Sequence, residues 1–164
     1  DLDVVIAGAG GAAHAVVFAL VAAGARRVTI GSRRPEASSG LAARFGDGPT
    51  AVVGVDLRSA EFRMAAAAAD LAVNATTVGM IDAGMTIPVE ALRADATVFD
   101  LVYVPPETPL LAAARARGLR SGNGSEMLIR QAEIAFERWT GRAGMSEVMR
   151  AAVGPLLADP AARA

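Results

Sequence analysis

Ser32, Arg33 and Arg34 put a hydroxyl and two guanidiniums side by side, directly after the strand-like stretch Arg27 to Gly31. Two planar forks that keep their charge, with a hydroxyl next to them, suit a phosphate ester. A solvated loop is the alternative reading of the same residues. Other polar side chains with chemical reach are few: Asn74 and Thr76 after another apolar run, Asp100, Tyr103, Gln131 and a single His14. All 16 basic residues are Arg, and the chain has neither Lys nor Cys. Disulfides, thiol nucleophiles and thiolate metal sites are thereby excluded, and no metal-ligand set is expected. Asp100 lies inside a strand-like run, where a hydrogen-bonded carboxylate fixes the following turn, so a structural role is expected for it rather than a catalytic one.

These side chains need a scaffold, and Val4 to Ala13 supplies its first piece: V-V-I-A-G-A-G-G-A-A, an apolar strand running into a glycine turn that opens a helix. This is the G-x-G-x-x-[G/A] arrangement that grips a dinucleotide pyrophosphate. Gly8 permits the tight turn, Gly10 leaves room for the phosphates, and Ala13 lets the helix pack close to the strand. The amides near Gly10, Gly11 and Ala12 then face the ligand with the positive end of the helix dipole behind them. His14 follows one position later with no evident partner in sequence, so a surface or phosphate-proximal place is expected for it, not that of a general base.

Apolar runs of four to six residues alternate with helical stretches along the rest of the chain, the pattern of successive β-α units. Strands are predicted at residues 3–7, 27–31, 51–55, 70–74, 97–102 and 119–121. Helices are predicted at 11–23, from Pro35 up to Gly46 and Gly48, at 59–69, around 89–93, at 108–117, at 125–140 and from Ser146 onward. In the helix 125–140 the spacing of Leu128, Ala132, Ala135 and Trp139 predicts a buried stripe. Hydrophobic residues make up 53% but aromatics only 4%, which fits a core of small aliphatic side chains between a parallel sheet and its helices. The expected fold is α/β, Rossmann-like and doubly wound, a mainly parallel six-stranded sheet with helices on both faces, forming one domain over 1–164. The tail from Asp159 to Ala164 is expected to fray.

A net charge of −1 gives no electrostatic drive toward nucleic acid or an anionic membrane. No apolar run reaches the ~18 residues of a spanning helix. A small-molecule ligand remains, and the absence of Cys is compatible with the cytoplasm. In this fold the end of the second strand lies beside the adenosine ribose, where a carboxylate selects the free 2′-hydroxyl and a cation accepts a 2′-phosphate. Here no carboxylate follows until Glu36, so Ser32, Arg33 and Arg34 favour NADP over NAD.

Three later segments are more particular. They are Asn74 to Met80 (N-A-T-T-V-G-M), Phe99 to Pro105 with Thr108 to Leu111, and Asn123-Gly124 through Met127-Leu128 and Gln131 to Gly141. With the glycine turn in front, and in this order, they make the chain resemble the C-terminal NADP-binding domain of the shikimate dehydrogenase family over nearly its whole length. The resemblance implies reversible hydride transfer between NADPH and 3-dehydroshikimate, in aromatic amino-acid biosynthesis. It also implies that Ser32 to Arg34 hold the adenosine 2′-phosphate, where the family favours Asn-Arg-Thr. Asn74 and Thr76 would border the cofactor, Leu101, Gly124 and Met127 would line the nicotinamide, and Tyr103 and Gln131 would reach the substrate. Ser125 and Glu126 depart from the small or apolar residues expected there, which leaves the substrate choice more open.

In the resembled family the proton donor's work falls to a Lys and an Asp of an N-terminal domain. With no Lys in the 164 residues, the chain is expected to be a fragment that binds NADP, carries no catalytic residue of its own and does not reduce the substrate by itself. Its substrate site would be shared with that further domain. A quinate or aminoshikimate dehydrogenase of the same superfamily is the alternative enzyme, and a freestanding NADP-binding module is the non-enzymatic one. Oligomeric state is not written in the sequence.

Overall fold

The structure, a computed structural model, describes residues 2–158. Six strands form one sheet: β1 (Asp3–Ala7), β2 (Arg27–Ser32), β3 (Ala51–Asp56), β4 (Leu71–Asn74), β5 (Thr97–Asp100) and β6 (Arg120–Asn123). All pairings are parallel and the order is β3-β2-β1-β4-β5-β6, the doubly wound arrangement. The direction of winding reverses between β1 and β4, so a crevice opens at their carboxyl ends.

Side-chain alternation on β1 divides the interior into two cores. Val4 and Ile6 pack with Val28, Ile30 and Val73 under α1 (Gly11–Ala22) and α2 (Pro35–Ala42), through Ala13, Val17 and Leu41. Val5 and Ala7 face the other way, toward Phe62 and Ala66 of α3 (Ala60–Ala68) and Leu110, Leu111 and Ala114 of α4 (Pro109–Ala116). Helices therefore cover both faces, as the apolar runs predict. Local chemistry starts these helices where expected: the Ser59 and Thr108 hydroxyls accept from Phe62 N and Leu111 N, and Pro35 and Pro109 occupy first turns.

Several expectations are corrected at the edges of elements. The sixth strand is Arg120–Asn123 rather than 119–121, because Leu119 still closes α4 through its amide on Ala114 O while the ladder to β5 runs on to Asn123. The fifth strand ends at Asp100 instead of Val102, since the Val102 amide turns back onto the Asp100 carboxylate. Residues 89–91 form a 3-10 turn, and α2 stops at Ala42 with a 3-10 turn at Ala43–Phe45 before Gly46.

The larger correction concerns α5 (Ser125–Thr140), whose bounds match the sequence reading but whose stripe does not. Trp139 is 83% exposed, and the buried residue of this helix is Ile129. The covered face runs through Ile129, Glu133 and Phe136 toward α6 (Ser146–Ala158), about 100°, one residue step, around the helix from the expected stripe. Glu133 Oε1 accepts from Ser146 N at 3.0 Å, and Arg150 donates to both Glu126 carboxylate oxygens at 3.2 and 2.6 Å. Polar contacts thus tie α6 to the face that the apolar pattern leaves open. No helix among the described residues is long and apolar enough to cross a membrane. The expected frayed tail from Asp159 lies outside the described residues.

Candidate dinucleotide-binding site

A cleft of about 440 Å³ lies over the carboxyl ends of β1, β2 and β4, lined by Gly8–Gly10, Gly31–Arg34, Leu57, Ala75–Val78 and Thr86. Its floor is the β1–α1 turn. Gly8 has φ +116°, and a Cβ there would sit 2.7 Å from the Ala75 carbonyl oxygen, so both conformation and space require glycine. The Gly8 amide is spent on Gly31 O at 2.8 Å, which ties the turn to β2.

Gly10 differs. Its φ of −87° suits any residue, and a Cβ would meet nothing within 4 Å, as is also true of Gly11. Nothing in the polypeptide accounts for these two glycines, whereas a ligand pressed against the backbone does. The first turn of α1 carries no acidic side chain and no side-chain cap, so the amides of Gly11 and Ala12 and the positive end of the helix dipole are left for an anion. His14 Nδ1 lies 2.9 Å from Gly10 O, where only a protonated nitrogen can sit. The ring therefore braces the turn.

Arg33 and Arg34 are exposed on the cleft wall, and neither forms an ion pair with a described residue. Ser32 Oγ accepts from Arg34 N at 3.2 Å and so shapes the bend that presents both guanidiniums. Two positive charges with no ion-pair partner among the described residues, beside a helix N-terminus, suit a multiply charged anion.

The opposite wall is built by Asn74. Its side chain is buried and fully engaged: Nδ2 donates to Asp100 Oδ1 at 2.8 Å and to Val78 O at 3.2 Å. Oδ1 accepts from Thr76 N, Thr76 Oγ1 and Thr86 Oγ1 at 3.2, 2.7 and 3.0 Å. Asn74 is thus placed to hold the loop, while Thr76 lines the cleft. Thr77, Val78, Leu57 and Thr86 complete the lining and were not anticipated from sequence. Only the position of Leu57, just past the third strand, could have pointed to it.

The remaining expected residues lie outside this cleft, further along the sheet. Leu101 and Tyr103 follow β5, and Gly124 and Met127 open α5. Gly124 and Leu101 are in direct backbone contact, since a Cβ on Gly124 would fall 2.2 Å from Leu101 O. Met127 and Gln131, both exposed, are one helical turn apart on α5. Tyr103 is half-buried, and its hydroxyl bonds to none of the described residues. Asp100 has the structural role expected of it: fully buried, its carboxylate accepts from Asn74, Val102 N and Thr108 Oγ1. Glu126 turns away to Arg150, whose guanidinium holds its carboxyl below the ordinary glutamate range. The departure at this position is therefore explained by the docking of α6.

A doubly wound parallel sheet with this turn, this cleft and these cations is a dinucleotide-binding domain. Comparison with known proteins narrows the class. Residues 124–153 match the family model described as Shikimate 5'-dehydrogenase C-terminal domain. A shikimate dehydrogenase (NADP(+)) from Moorella thermoacetica is 44% identical over 96% of this chain and 56% of its own length. Among solved structures, quinate dehydrogenase from Corynebacterium glutamicum in complex with NAD is 40% identical, with a TM-score of 0.82 over 92% of this chain and 54% of that one. Shikimate 5-dehydrogenase from Thermus thermophilus in complex with NADP(H) and shikimate is 35% identical, with a TM-score of 0.81 over 94% and 55%. The chain belongs to the shikimate dehydrogenase family, and it spans about half the length of the curated relatives it matches.

Proposed function

We propose that this chain binds NADP(H) as the cofactor half of a shikimate dehydrogenase-type oxidoreductase. The observation that carries the reading is the pair Arg33 and Arg34, both on the cleft wall and both without a carboxylate partner among the described residues. The pyrophosphate would lie on the amides of Gly10, Gly11 and Ala12, and the adenosine 2′-phosphate on Ser32, Arg33 and Arg34. Asn74 holds the loop on which Thr76 meets the cofactor. Leu101, Gly124 and Met127 form the wall for the nicotinamide. Tyr103 and Gln131 offer a phenol and an amide to a hydroxylated carboxylic acid of the shikimate type.

When bound, NADPH supplies a hydride to a ketone carbon. The chain's own part is to fix the cofactor and offer hydrogen bonds to the substrate. Reduction of a ketone also needs a proton donor within reach of the carbonyl oxygen. None of the residues assigned to the groove is a Lys or a carboxylic acid, and Tyr103 is assigned a hydrogen bond only, so we assign the proton as in the resembled family, to a Lys and an Asp of an N-terminal domain. The same reading makes the site a shared one, sets it in the cytoplasm, and leaves 3-dehydroshikimate as the substrate.

The solved quinate dehydrogenase with NAD favours a second reading, a quinate-type enzyme using NAD. Titration calorimetry with NADP+ and NAD+ separates the two: preference for NADP+ supports the first reading, preference for NAD+ the second, and binding of neither overturns both. Absorbance of NADPH with dehydroshikimate and the pure chain should stay at blank level. Clear turnover would refute the assignment of the proton donor elsewhere.

A further inference from the structure

We propose that Asp100 is a positioning residue that holds the two walls of the cofactor groove in register, with Thr108 setting its orientation; this rests on the reading that the groove takes NADP(H). Asp100 is fully buried at the end of β5, and none of its hydrogen-bond partners is a cation. A carboxylate in such a place is costly unless its oxygens are used, and here they are divided between two structures. Oδ1 accepts from Asn74 Nδ2 at 2.8 Å and from Val102 N at 3.0 Å, while Oδ2 accepts from Thr108 Oγ1 at 2.6 Å.

Asn74 is the hub of the adenosine-side wall, through Thr76, Val78 and Thr86. Val102 belongs to the nicotinamide-side wall: its carbonyl accepts from Gly124 N at 3.5 Å, and Gly124 lies against Leu101. One oxygen atom therefore joins both walls, and Thr108 fixes the rotation of the carboxylate that carries it. The two walls are not equally dependent on it. Asn74 keeps its bonds to Val78 O, Thr76 and Thr86 without Asp100, whereas beyond Leu101, whose amide donates to Asn74 O at 2.9 Å, the Val102 backbone has only the carboxylate and a long contact to Gly124 for hydrogen bonds. Loosening Asp100 should release the nicotinamide side and spare the adenosine side.

The test compares NADPH with adenosine 2′,5′-bisphosphate, which lacks the nicotinamide half, on the 164-residue chain and its variants. Thr108→Val removes both the bond to Asp100 and the cap on Leu111 N; the cap loss is read as a lower unfolding temperature, while the lost bond to Asp100 should lower NADPH affinity by at least about fivefold and change adenosine 2′,5′-bisphosphate affinity by less than about twofold. Thr108→Ser, which keeps the hydroxyl, should bind both ligands as the parent does. Asp100→Asn, close in volume, keeps an oxygen for Asn74 and Val102 but presents an NH2 to the Thr108 hydroxyl, and should repeat the selective loss should Thr108→Val fail to fold. Equal loss of both ligands, or no loss of NADPH, in a variant with unchanged circular dichroism would overturn the proposal. Failure of the parent chain to bind either ligand would instead remove the cofactor reading, and this inference with it.

Discussion

A Cβ on Gly8 would lie 2.7 Å from the carbonyl oxygen of Ala75, so the turn after β1 is seated directly on the loop after β4. That contact joins the floor of the cleft to its wall. It leaves no freedom to widen one without moving the other.

Gly8→Ala should accordingly cost about 2–4 kcal/mol, combining a φ of +116° that a side chain rarely adopts with a contact to backbone that cannot move aside. Thermal unfolding followed by circular dichroism measures the cost, and NADP+ titration should show binding lost with it. Gly10→Ala is the control. With nothing within 4 Å of the added methyl, it should unfold near the parent temperature yet bind NADP+ poorly.

Arg33→Ala should weaken NADP+ by about 1–3 kcal/mol, the value of a charge-assisted contact to phosphate, and leave NAD+ almost unchanged. Calorimetry with both nucleotides reads the difference. Equal weakening of the two would show that the guanidinium serves the fold or the pyrophosphate, and not the 2′-phosphate.

The sequence pattern and the structure part company at Trp139, and the difference is measurable. Trp139→Ala should change stability by less than about 0.5 kcal/mol, because the ring is 83% exposed. Phe62→Ala, at 1% exposure and packed over Gly31 of β2, should cost about 3–5 kcal/mol.

Low pH should act on the α5–α6 contact. Arg150 holds Glu126 below the ordinary glutamate range, so the pair's contribution is present above the unfolded value of about 4.3 and is lost as pH falls through the depressed folded value. Both groups are half-exposed, and the effect should shrink with salt. Thermal unfolding of the parent between pH 6 and pH 3 should therefore decline more steeply than that of Arg150→Ala. Identical slopes would remove the pair from the account.

How much of this could be read in the chain follows from what each element needs. Val4 to Ala7 are buried on both faces, and a strand so placed reads as a continuous apolar run; Val28 to Ile30 is equally buried, with Thr29 the one polar residue in it. The edge strand β6, Arg-Ser-Gly-Asn, has no such requirement, so its pattern does not mark where the strand begins and ends. Gly8, Gly10, Ser32 and Arg33 stand out by residue type at fixed distances from a strand end, and Thr76 by the family resemblance; the fold brings all five to the lining of one cleft. Leu57 and Val78 carry no such mark, since any apolar side chain could fill those places, and Thr86 is placed by a hydroxyl bond to Asn74 Oδ1 that exists only in the fold. The link from Asn74 to Asp100 spans two strands adjacent only in the folded sheet, and no local pattern announces it.

The pairing of β1 with β4 sets an order on how the molecule comes into being. Val4 pairs with Val28 on one side and with Leu71 on the other, so the central strand waits for a partner that emerges much later from the ribosome. Such distant pairings cost loop entropy before they return any contact, and they slow folding. Since Gly8 rests on Ala75, the nucleotide cleft takes shape only after that second partner has docked. A ligand that recognises only the finished cleft then stabilises the completed chain over every earlier intermediate, by mass action.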